Sequence, residues 1–352
     1  MPLDEGTLRR PPALRPGQRV GVIAPSYPTA VWFPARFERS VQALHEMLEV
    51  DVVVAGQVRR ATGFTAGCAR ERAQALQEMI ADPSIRAIFT SIGGFNSAEL
   101  LEHLDVNPMR ADPKIVVGYS DCTSVLLGLQ ALAGWYTFYG PAVMTQFGEY
   151  PCPLEYTLRS LRRVLFEGSA PLRVDDPAEW TNAFFDWAGT EWTARARPPV
   201  GPAQRTVWKD GEGEGRLFGG NVETLNFLAG TPYLRVPERV VLFWEATEAE
   251  ASLQRVQRAL THFRQLGLFE RTQAMLIGRS PHGADAFGTS LREVVLGAVE
   301  AYTFPVVADL AFGHTDPMMT LAIGARAHVS AADGRATIDV LEAGVGAALD
   351  RH

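Results

Sequence analysis

From Arg19 onward the chain alternates short apolar runs with segments of helical period. RVGVIAPS closes an apolar run on Ala-Pro-Ser, the pattern of a buried strand entering a loop. ARFERSVQALHEML then sets Phe37, Val41, Leu44 and Leu48 on one face of a helix. VDVVVAG predicts a second strand, and CARERAQALQEMIADP a helix stopped at Asp82-Pro83. IRAIFTSIGG predicts a third strand ending on a glycine pair, followed in NSAELLEHLD by a helix capped by Asn96 or Ser97. KIVVGYSDCTSVLLGLQ carries a fourth strand straight into a helix. The alternation predicts an α/β fold whose N-terminal domain is a parallel, flavodoxin/Rossmann-like sheet with helices on both faces.

Near Pro151 the texture changes. Pro, Gly and Trp crowd a stretch of little regular period, and four of the seven tryptophans lie between Trp180 and Trp208. A disordered linker rarely holds so many aromatic rings, so a linker with an ordered excursion is expected. From Thr206, GEGEGRLFGGNVETLNFLAGTPYL reads as glycine punctuation and then a helix. ERVVLFWEAT predicts a strand, EAEASLQRVQRALTHFRQLGLF a long amphipathic helix, TQAMLIGRS a strand and SLREVVLGAVEAY a helix. The remainder ends in strands, with Asp333-Gly334 as a hairpin turn. The expected division is an N-terminal α/β domain over 1–165, a linker with an aromatic loop over 166–205, and a mixed α/β, β-rich C-terminal domain over 206–352.

A chain of 352 residues accommodates two such domains, and 47% hydrophobic with 21% charged residues is an ordinary globular composition. A net charge of −7 with no basic run longer than two residues argues against a nucleic-acid partner. Cys68, Cys122 and Cys152 form no C-x-x-C pair, which supports neither a disulfide framework nor a zinc knuckle and suits a reducing cytoplasm. The polar, Pro-rich start lacks a signal-peptide core, and no apolar run approaches the roughly 20 residues that span a bilayer, so no membrane partner is expected.

In parallel sheets, ligands collect outside the carboxyl ends of the strands. Three ends here carry small polar turns: Ala24-Pro25-Ser26, Ser91-Ile92-Gly93-Gly94 and Gly118-Tyr119-Ser120-Asp121. The chain has no G-x-G-x-x-G after the first strand and no P-loop, so a dinucleotide or P-loop site is not expected. It has no H-E-x-x-H, no EF-hand loop and no His pair at ligand spacing, so neither metal nor other cofactor is expected. Ser120 stands on a strand–turn–helix corner, which suits a nucleophile; the alternative is a helix cap. Of seven histidines, His45, His103 and His262 sit in helical patterns, His328 on a strand, His282 in a Gly-rich loop and His352 at the terminus. His314 follows an apolar strand in a Gly-His-Thr-Asp-Pro turn, where a general base would sit; a hydrogen-bonded turn histidine is the alternative. Glu245 ends an apolar strand, where a carboxylate is costly without a partner; it reads as the base's orienter or as an N-cap-like residue before a helix near Thr247. Asp121, adjacent to Ser120, is the rival carboxylate, but neighbouring side chains on a tight turn diverge, which leaves it to offer its backbone N–H. The Gly93-Gly94 turn offers N–H groups for an oxyanion hole, or is simply tight.

Together, IFTSIGGFNSAELLEHLD, PKIVVGYSDCTSVLLGL, TFYGPA, GRLFGGNVETLNFLAGTPY, VLFWEAT and GHTDPMMTLAIGARA resemble the successive signatures of the LD-carboxypeptidase serine peptidases, and within them the microcin C immunity branch. The resemblance runs from about Arg19 to Leu341. It implies a Ser-His-Glu triad at Ser120, His314 and Glu245, and an oxyanion hole from backbone N–H groups at Gly94 and Asp121. It implies a cytoplasmic, metal-independent homodimer acting on a small peptide or aminoacyl-nucleotide. The immunity branch carries an aromatic loop that stacks on a nucleobase, matched here by FFDWAGTEW, with Trp187 as the better position and Trp192 beside it; interdomain packing is the alternative for Trp187. Asn221 is a candidate for holding the polar backbone of the substrate. The resemblance thus implies hydrolysis of the amide in peptidyl- or aminoacyl-nucleotide antibiotics, with murein tetrapeptide trimming as one alternative and a non-catalytic ligand-binding protein as another.

Overall fold

The alternating apolar runs of the first 140 residues become the strands of one sheet. The computed structural model describes residues 8–107, 109–247, 252–280 and 288–347. In chain order the strands are β1 (Arg19–Ile23), β2 (Asp51–Val54), β3 (Ile85–Thr90), β4 (Ile115–Gly118), β5 (Thr137–Tyr139), β6 (Leu172–Arg173), β7 (Glu179–Trp180), β8 (Gly201–Pro202), β9 (Thr206–Lys209), β10 (Gly211–Asn221), β11 (Val240–Glu245), β12 (Thr272–Gly278), β13 (Val306–Leu310), β14 (Leu321–Ile323), β15 (Arg326–Ala332) and β16 (Arg335–Val340). The α-helices are α1 (Thr29–Trp32), α2 (Pro34–Leu48), α3 (Ala69–Ala81), α4 (Thr123–Ala133), α5 (Glu155–Leu165), α6 (Val222–Leu228), α7 (Leu253–Gln265), α8 (Leu268–Arg271) and α9 (Leu291–Ala298). None of them is long and apolar enough to cross a membrane.

The first sheet has the order β14-β5-β4-β3-β1-β2. Its first five strands in sequence pair in parallel, and β14 closes the β5 edge antiparallel. Every residue of β4 is buried, as expected of a strand covered on both faces. The second sheet runs β6-β16-β15-β10-β11-β12-β13-β9. Its central strands β10 to β13 are parallel and its flanks antiparallel, which makes it the mixed, β-rich unit expected from the sequence. Asp333 and Gly334 both take positive φ (51° and 74°), as the hairpin turn between β15 and β16 requires. The aromatic stretch is ordered by pairing: β6 adds to β16, β7 pairs with β8, and Thr181 bridges Asp316.

Three local expectations are corrected. GEGEGRLFGGN, read as glycine punctuation, is the eleven-residue strand β10. Its glycines serve close approach: a Cβ on Gly219 would fall 1.7 Å from the Phe243 carbonyl oxygen. The segment Ser97–His103 is a 3₁₀-helix rather than an α-helix, and Asn96 makes no side-chain cap. The helix expected to begin near Thr247 begins at Leu253; residues 248–251 lie outside the described residues.

What positions the site is the meeting of the two sheets. The end of β10 presses on the start of α4, where a Cβ on Gly220 would meet Thr123 Cγ2 at 2.4 Å. Asn221 N–H donates to Thr123 Oγ1 at 3.0 Å. The carboxyl ends of β4 and β11 are thereby brought side by side.

Candidate active site

β4 ends at Gly118, and after Tyr119 the chain turns at Ser120 with φ 61°. A non-glycine residue in the left-handed region is uncommon and is held only by its surroundings. A short 3₁₀ turn, Ser120–Cys122, leads into α4. The Ser120 hydroxyl caps neither; it lies 3.1 Å from His314 Nε2, and His314 Nδ1 lies 2.6 Å from Glu245 Oε2. An ionised carboxylate only accepts, so Nδ1 carries the proton and Nε2 faces the hydroxyl as an acceptor. Three residues from three distant sequence segments thus form one hydrogen-bonded series.

Glu245 is the last residue of β11 and is 1% exposed. Burying it alone would be costly; three donors meet it. His314 holds Oε2, while Tyr139 Oη–H (2.7 Å) and Asn221 Nδ2 (3.2 Å) donate to Oε1. Burial pushes its pKa up, but the charge of His314 and the three hydrogen bonds outweigh it and hold the carboxyl below its ordinary range. It does not cap the next helix: Ser252 does, its Oγ accepting from Arg255 N–H.

Tyr139, at the end of β5, has no periodicity in its three-residue strand to mark it. It is fully buried, donates to Glu245 and accepts from Ser120 N–H at 3.2 Å, joining the strained corner to the carboxylate. Burial, then the Glu245 charge, raises its pKa well above the usual phenol value, so it stays a donor. Asn221 stands opposite Glu245 in the β10–β11 register, and its Oδ1 caps α6 by accepting from Glu223 and Thr224 N–H. Its buried side chain therefore touches the carboxylate and a helix end.

On the other side of Ser120 lies the glycine turn. A Cβ on Gly93 would come within 3.3 Å of both Ser120 Oγ and Asp121 N, so the absence of a side chain there leaves the space before the hydroxyl open. A Cβ on Gly94 (φ 156°) would overlap Ser26 Oγ at 2.1 Å. That serine accepts from Phe95 N–H and Asn96 N–H and donates to Asn96 Oδ1, which pins the turn. The Asp121 side chain is taken up by Ser97, whose N–H donates to Oδ2 at 3.0 Å; burial raises this carboxyl above its usual range, against the pull of Ser97, Ser26 and Arg72. The neighbouring Cys122 thiol is pushed up to about 12 by burial and by Asp121, which leaves it no thiolate at neutral pH.

A cavity of about 460 Å³ opens above Ser120 and His314. Tyr27 and Phe95 border it on the glycine side, and Phe184, Trp187 and Trp192 belong to the aromatic loop. Phe184 is 72% exposed. Trp187 lines the cavity with Phe33 against its edge (5.7 Å), Phe184 beside it (5.9 Å) and the Arg36 guanidinium over its ring at 4.2 Å. Arg197 fastens the loop by pairing with Glu149 and with Asp316 Oδ2 (2.7 Å), whose Oδ1 accepts from Gln146 at 3.1 Å. Arg36 and Arg197 had no signal in the sequence; Tyr139 lies within the TFYGPA signature but nothing there marked its role, and Ser26 had its place in a polar turn. Of the remaining histidines, His45 and His103 are exposed, His262 meets Asn226 and His328 meets Glu212; His282 and His352 lie outside the described residues. Among the described residues no three metal-ligating side chains gather.

Residues 20–140 match the family model of the LD-carboxypeptidase N-terminal domain, and residues 214–329 that of the C-terminal domain. A putative carboxypeptidase of Vibrio cholerae is 31% identical, covering 89% of this chain and 92% of its own. The microcin C7 self-immunity protein MccF of Escherichia coli is 30% identical, covering 88% and 90%. A solved structure of MccF in complex with aspartyl sulfamoyl adenosine superimposes with a TM-score of 0.88 at 27% identity, covering 96% of this chain and all of that one.

Proposed function

The chain belongs to the LD-carboxypeptidase family of serine peptidases, and on that premise we propose that it hydrolyses the amide of aminoacyl- or peptidyl-nucleotides of the microcin C type. The observation that carries the chemistry is the series Ser120 Oγ, His314 Nε2, His314 Nδ1, Glu245 Oε2 at 3.1 and 2.6 Å. Ser120 attacks the carbonyl carbon as His314 takes its proton. Glu245 fixes the imidazole and stabilises its charged form. N–H groups at Gly94 and Asp121 receive the developing oxyanion, each such donor being worth about 3 kcal/mol of barrier. His314 then protonates the leaving nitrogen, and water attacks the acyl-enzyme by the reverse path. The enzyme is taken to work as a cytoplasmic homodimer.

The substrate reading is supported by the aromatic lining, in which Phe184 and Trp187 offer surfaces to a planar base. A second reading, release of the terminal residue from a murein tetrapeptide, is favoured by the activity for which the family is named. Incubation with aspartyl sulfamoyl adenosine and with a murein tetrapeptide separates them: faster turnover of the first is expected, and turnover of the tetrapeptide alone would install the second. A folded protein that cleaves neither, and whose Ser120 is not labelled by a fluorophosphonate, is a ligand-binding protein instead.

Tyr139 is proposed as a positioning residue. Tyr139→Phe removes one of the three donors to Glu245 and the acceptor for Ser120 N–H. The expected result is a fall in kcat of about tenfold with KM nearly unchanged, the scale of one lost buried hydrogen bond. A variant that lost KM and kept kcat would assign Tyr139 to substrate binding instead.

A further inference from the structure

Arg36 projects from α2 into the cavity wall and is only 6% exposed. Its Nε–H donates to the Met144 carbonyl at 2.8 Å and Nη2 to the Thr145 carbonyl at 3.1 Å. The rings of Trp187 and Trp192 lie 4.2 and 5.2 Å from its central carbon. It forms no ion pair among the described residues. Two carboxylates face this region, Glu149 and Asp316, and both are engaged by Arg197; the second Glu149 oxygen accepts from Tyr150 N–H. The other nearby cation, Arg39, donates to the carbonyls of Glu149 and Pro151. Arg36 is thus a buried cation held by backbone dipoles and indole faces, with Nη1 bonded to no group among the described residues. Burial lowers its pKa to about 10 despite the pull of Glu149 and Asp316. A buried charge held this way is one that an incoming anion would stabilise.

Its place in the wall says which part of a substrate it would meet. From His314 the wall runs to Asp316, to Gln146 bonded to Asp316, and to Thr145, whose carbonyl holds Arg36. The glycine turn meets Ser120 through Gly93, and Tyr27 and Phe95 line the cavity next to that turn. The imidazole must protonate the leaving nitrogen, so the leaving group occupies the His314 side. We propose that Arg36 binds an anionic group carried by the leaving group of the substrate, and that the enzyme selects amides for that charge. The inference rests on the amidase reading above. The shared chemistry is an oxyanion close to the scissile amide: a phosphoramidate or sulfamate joined to a nucleoside, or the free carboxylate of a terminal amino acid.

Two substrate pairs test it and separate the sources. One is aspartyl sulfamoyl adenosine against the uncharged aspartyl amide of 5′-amino-5′-deoxyadenosine. The other is a murein tetrapeptide with a free carboxyl end against its C-terminal amide. In the pair that is turned over, the wild type should prefer the anionic member, and Arg36→Gln should lower that kcat/KM ratio by about tenfold or more, the scale of one charge-assisted hydrogen bond. Arg36→Lys should restore part of the preference, because an ammonium keeps the charge but not the fork. An Arg36→Gln protein with native circular dichroism and an unchanged ratio overturns the inference and leaves the amidase reading standing. Should that variant not fold, a wild type indifferent to the charge overturns it equally. If neither pair is cleaved and Ser120 resists the fluorophosphonate, the amidase reading falls and takes this inference with it.

Discussion

Ser120→Ala is expected to lower kcat by about five to six orders of magnitude while moving the thermal midpoint by no more than about 2 °C. The two halves of this expectation have different causes. Oγ is the atom that forms the bond in the proposed mechanism, and what remains without it is the binding and electrostatics of the cavity. In the fold, by contrast, the hydroxyl contributes one hydrogen bond, to His314, and caps no helix. The positive φ of residue 120 is equally unfavourable for serine and alanine, so the backbone energy cancels between variant and wild type. Hydrolysis of whichever amide the wild type cleaves, followed together with a melting curve, checks both. Near-wild-type turnover by a folded Ser120→Ala protein would show that Ser120 is not the nucleophile. A large drop in melting temperature would show that the corner is held by the hydroxyl rather than by Tyr139 and Ser97.

How much of this was legible in the residues depended on whether a local pattern carried it. The Ser120 corner could be read because β4 is four buried residues with a helix directly behind it. Glu245 could be read because an acid at the end of a wholly apolar strand demands a partner. Strand β10 could not, since repeated glycine argues against a strand on propensity alone; its glycines are explained by close approaches from elsewhere in the chain, of Pro305 to Gly211, Gln273 to Gly213, Arg239 to Gly215, Phe243 to Gly219 and Thr123 to Gly220. The 3₁₀ segment Ser97–His103 starts on Asp121, from a different part of the chain, whose carboxylate takes the first N–H and whose carbonyl takes the Ser97 hydroxyl. Arg36 has an ordinary place in an amphipathic helix and becomes buried where two distant segments cover it, the Met144–Thr145 backbone and the aromatic loop with Trp187 and Trp192. Sequence pattern thus reports which residues end buried strands. It does not report which polar groups a distant segment will cover.

Glu245→Gln should cost about 10⁴-fold in kcat, with a smaller loss of stability than its burial would suggest. Glutamine has the same shape, and its amide oxygen can still accept from Tyr139 and Asn221, as Oε1 does now. The amide nitrogen then occupies the Oε2 position, 2.6 Å from His314 Nδ1 in the wild type, and it can only donate there. Nδ1 must become the acceptor, so the proton moves to Nε2 and points at the Ser120 hydroxyl. The base is thereby presented to its nucleophile in the wrong tautomer, and the imidazolium formed on attack loses the anion that stabilises it. Stability suffers less than burial alone suggests, because the exchange leaves the same three partners satisfied; what it gives up is the net stabilisation that holds the carboxyl below its ordinary pKa. That exchange also fixes the sign of the pH effect. A depressed carboxyl contributes stability that is present above its unfolded pKa and is lost as the solution is acidified through the folded one, so wild-type stability should fall more steeply below about pH 4 than that of the variant. Melting curves of the two proteins between neutral and acid pH should therefore converge. Curves that stay parallel would mean that Glu245 does not titrate with folding, and a variant within tenfold of wild-type kcat would mean that the carboxylate does not set the tautomer of His314.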